Sequence, residues 1–231
     1  MSILDNVLPL FLTRTIGGYA ICLGLFGPRV TEGSWRRVSL FVIAGLCAAA
    51  AFWGAPLLPV LATGITALLL ERGLTFRVPV LNRIEWMAPL GAWVLFANEW
   101  PPSLATVPAA IASGGALGAM LLGHSYLTAR KLSFKVFQHF TLLLLVILVV
   151  RAVTVVPVLF DPSMVKMDWV YFSARVMFGL VLPLVFGWMA WQCAKIESNQ
   201  SATGILYAMT ALVFLGEMTA VYFWVTKEIA A

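Results

Sequence analysis

Residues 130–160 read RKLSFKVFQHFTLLLLVILVVRAVTVVPVLF, a cluster of three cations followed by an apolar run in which Gln138, His139 and Arg151 are the strongly polar interruptions. Crossing a hydrocarbon core of about 30 Å takes roughly 20 helical residues, so the stretch over 136–160 is long enough to span a bilayer. The cations before it, Arg130, Lys131 and Lys135, belong to one short connection. The same grammar repeats outward along the chain. Arg29, Arg36 and Arg37 follow the first apolar run, Arg72, Arg77 and Arg83 follow the third, and Lys195 follows the seventh, whereas the intervening connections are nearly free of Lys and Arg. Short cytoplasmic loops carry the Lys and Arg excess of inner-membrane proteins, so the alternation yields both a count and an orientation. It predicts eight spans, over 7–27, 38–56, 57–71, 84–99, 104–127, 136–160, 169–193 and 201–226, with both termini on the outer, periplasmic side. The third and fourth are short, and whether they cross fully is open at this point. Omitting one would scatter basic loops onto both faces.

Composition agrees with this plan. Of 231 residues, 61% are hydrophobic and 11% charged, against roughly half and a quarter in soluble domains. The expected fold class is all-α, a polytopic helical bundle forming a single transmembrane domain over 1–231, with a possible division into four-plus-four halves near 101–103. The net charge of +5 is spread over membrane-flanking loops and not gathered on one basic face. Anionic lipid headgroups are therefore the expected partner, and nucleic acid is not. The expected location is a bacterial-type inner membrane. The N-terminus lacks a basic leader pattern, so the first span is expected to be retained. Cys22, Cys47 and Cys193 show no Cys-x-x-Cys spacing, which argues against a disulfide framework or thiolate metal site.

Small residues mark expected lines of close helix approach. Ala110, Gly114 and Gly118 repeat every four residues in the fifth span, and Gly17, Gly18, Gly24 and Gly27 give the first a similar character. Trp35, Trp86, Trp100, Trp169 and Trp224 fall near span ends, where an amphipathic ring prefers the headgroup level. Pro89-Leu90-Gly91 and the segment from Gly179 to Gly187 read as interruptions.

Charges inside spans are costly, about 2.5–3.5 kcal/mol each at mid-membrane on insertion scales, so each needs a partner, a cavity or an escape to the interface. At about 1.5 Å per residue, Arg14, Arg151, Arg175 and Glu217 all fall roughly 9–14 Å below the outer edge. One carboxylate for three guanidiniums leaves positive charge to be met by oxygen acceptors such as a carboxylate, a phosphate, a haem propionate or a quinone carbonyl. Tyr171 and Tyr222 lie a turn from Arg175 and Glu217. The alternative is that the arginines snorkel or simply lock helices together. His124 and His139 flank one basic inner loop on adjacent antiparallel spans, a pattern that suits b-type haem ligation, with iron as the only metal expected there, interfacial hydrogen bonding, or proton handling.

No hydrolase elbow, zinc-protease, phosphate-loop or dinucleotide motif occurs, so autonomous catalysis is not expected. The reading that follows is an integral membrane subunit of an electron-transfer or respiratory-type complex, binding a quinone or haem, or anchoring redox partners at its outer face. A transporter or channel for a small anion and a purely structural assembly subunit are the alternatives. The eight-span, termini-out plan resembles that of the quinol-interacting membrane subunits of polysulfide and dimethyl-sulfoxide reductases. That likeness is one of topology, with no shared residue motif, and it implies redox partners docking from outside.

Overall fold

The computed structural model describes residues 4–30, 33–76, 83–99, 103–128, 134–160 and 165–227. Within them all regular structure is helical. The order is α1 (Leu4–Phe26), α2 (Gly33–Phe52), α3 (Leu57–Phe76), α4 (Met87–Asn98, entered through the 3-10 turn Ile84–Trp86), α5 (Thr106–Thr128) and α6 (Phe134–Val155, continued as a 3-10 turn over Val156–Phe160). Then come α7 (Lys166–Val176), a π turn (Met177–Val181), α8 (Leu182–Lys195) and α9 (Asn199–Lys227). Because α7 and α8 run as one rod through the π turn, the described residues form eight rods. Seven are long and apolar enough to cross a bilayer, and the fourth is shorter. The molecule is a multi-pass helical bundle of membrane type.

Two expected boundaries move. The third helix does not stop at residue 71 but continues to Phe76. Its charges sit in the last turns with Glu71 buried and Arg72 exposed, so the first charge met in sequence is not the helix end. The second helix begins five residues early, at Gly33, and Trp35, in its first turn, is wholly buried against the neighbouring helices. Trp100, Pro101 and Pro102, together with Arg77, Arg130 and Lys131, lie outside the described residues.

Helix α1 is the axis of the packing. One of its faces meets α4: a Cβ on Gly17 would lie 2.9 Å from the Gly91 carbonyl oxygen, and one on Gly24 would lie 2.5 Å from the Ala88 nitrogen. The next face meets α5, where Gly18 abuts the Ala110 carbonyl and Gly114 abuts Tyr19 and Gly18 so closely that neither glycine has room for a methyl group. The expected stripe on α5 is thus a seam within the chain, looser at Gly118, where ring atoms of Tyr19 and Phe140 approach to 3.2 Å. A single core runs through Ile16, Leu40, Ala116, Phe137, Leu206 and Val213, uniting residues from both sides of 101–103. The α2–α3 turn closes as a Schellman motif, with Ala55 N–H donating to the Ala50 carbonyl at 3.0 Å and Gly54 at φ +84°. There the left-handed backbone requires glycine.

The start of α1 and the end of α9 lie at the same end of the bundle. Val7 and Phe11 pack on Val221, and Lys227 reaches Asp168 at 3.3 Å. The described cations Arg36, Arg37, Arg72, Arg83, Lys135 and Lys195 stand at helix ends on the opposite side. Arg36 donates from Nε to the Gly27 carbonyl at 2.8 Å, and Lys195 lies 3.8 Å over the Trp191 ring.

Candidate functional site

Three of the four intramembrane charges come together. Arg151 lies in the last turns of α6, Arg175 in the last turn of α7 and Glu217 late in α9; their exposures of 0, 1 and 3% leave them no water. Arg151 grips the carboxylate with both prongs, Nε to Oε1 at 3.0 Å and Nη2 to Oε2 at 3.1 Å. Its remaining Nη1 donates to Thr154 Oγ1 at 3.1 Å, and that hydroxyl in turn donates to the Arg151 carbonyl at 2.8 Å. Arg175 shares the same carboxylate through Nη2 to Oε1 at 3.1 Å.

The backbone places Arg175 there for a local reason. Pro183 has no N–H to offer the carbonyl four residues back and its ring crowds that carbonyl, so the helix widens. The Leu182 N–H bonds five residues back to Met177. Inside this wider turn Gly179 packs backbone to backbone on Gly216 of α9; a Cβ on Gly179 would lie 2.6 Å from both the Gly216 Cα and Arg175 Nη1. The glycine pair draws α9 against the turn, and Arg175 Nη1 fills the space a side chain at 179 would take. The interruption read from Gly179 onward is this π turn.

Arg175 is left with donors to spare. Its Nε and Nη1 are buried without a hydrogen-bond partner. Two guanidiniums on one carboxylate leave a net charge of one positive unit, in a setting where unpaired charge is expensive. The arrangement can therefore accept a further oxygen acceptor, neutral or anionic, at Arg175.

Arg14 does not join this triad. It pairs with Glu99 at the end of α4. Sequence reasoning passed over Glu99 because it stands as the last residue of the expected span 84–99, beside Trp100, where a charge reads as interfacial. Since α4 has only 12 α-helical residues, it ends at the depth of Arg14. The short span was the available signal. Arg14 Nε and Glu99 Oε2 have no further partner and are buried. Tyr171 and Tyr222 turn outward, edge to face with centroids 6.5 Å apart.

The histidines fall on different faces, contrary to the expected facing pair. On α5 the side toward α6 is marked by Gly118, near Phe140, and by Tyr126, whose ring lies 5.1 Å from that of Phe137. His124 is two residues from Tyr126, about 200° around the helix, and its Nδ1 lies 3.3 Å from the Tyr207 hydroxyl on α9. His139 instead lines a shallow recess with Phe26 and Leu142. Both are exposed. No three His, Cys, Asp or Glu side chains gather as a metal site among the described residues.

Beside the triad runs a groove of about 530 Å³ between α6 and the α7–α8 rod. Its walls include Val155, Leu159, Trp169, Phe172, Leu180 and Leu184, and Ser173 supplies its one hydroxyl. Comparison with protein-family models, curated proteins and solved structures gives no match for this chain.

Proposed function

We propose that the chain is a subunit of a respiratory-type electron-transfer assembly and binds a quinone at Arg175. The observation that carries this reading is the pair of unspent, buried guanidinium donors beside a triad with one excess positive charge. A quinone carbonyl is an oxygen acceptor that gains electron density on reduction, and a fixed guanidinium stabilises that density best where water is excluded. In this reading Arg175 binds and orients the carbonyl, while Arg151 and Glu217 hold Arg175 in place. The separate faces of His124 and His139 favour quinone over haem. The basic end of the bundle faces the cytoplasm of a bacterial-type inner membrane by the positive-inside rule, which leaves both termini outside. The compact outer connections there serve as a docking face for redox subunits.

The test is direct. Protein purified in mild detergent is extracted, and bound quinone is quantified against Arg175→Met purified alongside. Retention by the wild type and loss in the variant, with unchanged yield and monodispersity, support the reading; equal quinone in both, or none above a control membrane protein, refutes it. An oxidised and a dithionite-reduced absorption spectrum of the same sample reports haem.

A second reading, a purely structural assembly subunit, draws on the engagement of both Glu217 oxygens by arginine. It expects Arg175→Met to lower yield without changing any bound ligand.

A further inference from the structure

We propose that the quinone enters sideways from the bilayer and keeps its alkyl or isoprenoid tail in the groove between α6 and the α7–α8 rod, an inference that rests on Arg175 as the headgroup donor. Groove and charge site are two sides of one layer of side chains. Val155, Phe172 and Leu180 line the groove and also pack with Phe223 in a small buried cluster. Phe172 precedes Arg175 by one turn, Ala152 of the groove wall follows Arg151, and Leu180 follows the glycine against which Arg175 Nη1 lies. None of the three charged side chains lines the groove itself, so in this proposal the ring passes the layer of Phe172 and Leu180 to reach the unpartnered Nη1 and Nε.

The chemistry of the walls selects the occupant. The groove falls within the 300–1,000 Å³ typical of ligand pockets, yet it lacks the convergent polar groups that would hold a water-soluble anion. Its rim, formed by Val156, Leu159, Met177 and Val181, is exposed on the apolar surface of the bundle, so it is open to hydrocarbon. Depth separates a quinone from a phospholipid. Arg175 is nine residues into its rod, about 14 Å below the start, whereas the headgroup layer of a bilayer is only about 5–8 Å thick on each side. A phosphate at Arg175 would have to leave that layer, while a quinone ring is at home beneath it.

The experiment uses the full chain in nanodiscs with two probes: a decyl benzoquinone carrying a diazirine at the end of its tail, and the same ring without a tail. The expected result is light-dependent labelling of peptides within 152–184 by the tailed probe, suppressed by excess unlabelled decyl quinone. Val181→Trp, which fills the lipid-facing rim, is expected to lower the preference for the tailed over the tailless ring by about tenfold, the loss of roughly two buried methylenes. Binding of both rings with labelling elsewhere and an unchanged preference overturns the groove but leaves Arg175 as the donor. If neither ring binds, the Arg175 reading and this inference fall together. Displacement of the label by phosphatidylglycerol in place of quinone assigns the groove to phospholipid and overturns the inference. Labelling of the wild type keeps the test decisive even where the variant does not fold.

Discussion

The seam around α1 and the joint among α6, α7 and α9 solve the same problem in opposite ways. Lipid tails are as apolar as leucine, so helices in a bilayer gain little from burying apolar surface against each other and must associate by close packing or by polar contacts. At the seam Gly17, Gly18, Gly24 and Gly114 let backbones touch, and the glycines themselves bring no polar side chain that needs a partner. At the joint a carboxylate is shared by two guanidiniums, and donors remain. Close packing by small residues is self-satisfied, whereas a charged contact in odd proportion has residual capacity to bind. The joint borrows from the seam as well, because Gly179 and Gly216 bring α9 near enough for Glu217 to reach both arginines.

The comparison breaks most sharply at Glu217. Glu217→Gln keeps the shape and strips the charge, leaving Arg151 and Arg175 buried together; a loss of about 3–5 kcal/mol is expected from such an uncompensated pair. A thiol-reactive dye that reports exposure of the buried Cys22 and Cys47 during thermal unfolding in detergent measures it. Adding Arg151→Met should recover part of the loss, and failure to do so would mean that the pairing is not what holds the joint.

Next in size is the seam. Gly18→Ala places a methyl group against the Ala110 backbone and should cost about 1–3 kcal/mol, the usual range for overpacking. Gly204→Ala in α9, where nothing lies within 4 Å, should instead be neutral or gain up to about 1 kcal/mol of helix propensity. Equal melting shifts for the two would deny that backbone contact is what the glycines at the seam provide.

The smallest effect lies outside both regions. Glu197 occupies a left-handed conformation at φ 58°, where the Ser198 N–H donates to the Cys193 carbonyl at 2.9 Å and closes the end of α8. Glu197→Gly should raise stability by about 1 kcal/mol, measured in the same assay, because only glycine meets no Cβ penalty there.

Depth was legible in the sequence, and azimuth was not. Counting residues along each span put Arg14, Arg151, Arg175 and Glu217 at one level, and the three that meet do so from the three consecutive rods that end the chain order, α6, α7–α8 and α9. Which way each helix is turned depends on its neighbours. That is why His124 and His139, also level in the count, point to Tyr207 and Phe26 respectively. Arg14 found Glu99 only because α4 is short. The glycine repeat was readable because its period is that of the helix itself, so Ala110 and Gly114 had to share a face whatever they packed against. The extension of α3 past Arg72 was hidden because long charged side chains tolerate a place in the final turns of a membrane helix by reaching toward the interface.

The π turn at Met177–Val181 acts as a phase shifter. One additional residue per turn rotates everything before it by about 100° relative to everything after it. Were the rod a continuous α-helix with α8 held where it is, the guanidinium at 175 would point along a different radius. The electrical character of the bundle interior is thus encoded in the spacing between Arg175 and Pro183 as much as in the identity of either. A variant one residue shorter in that interval would have the same composition in all but one position and a differently wired interior.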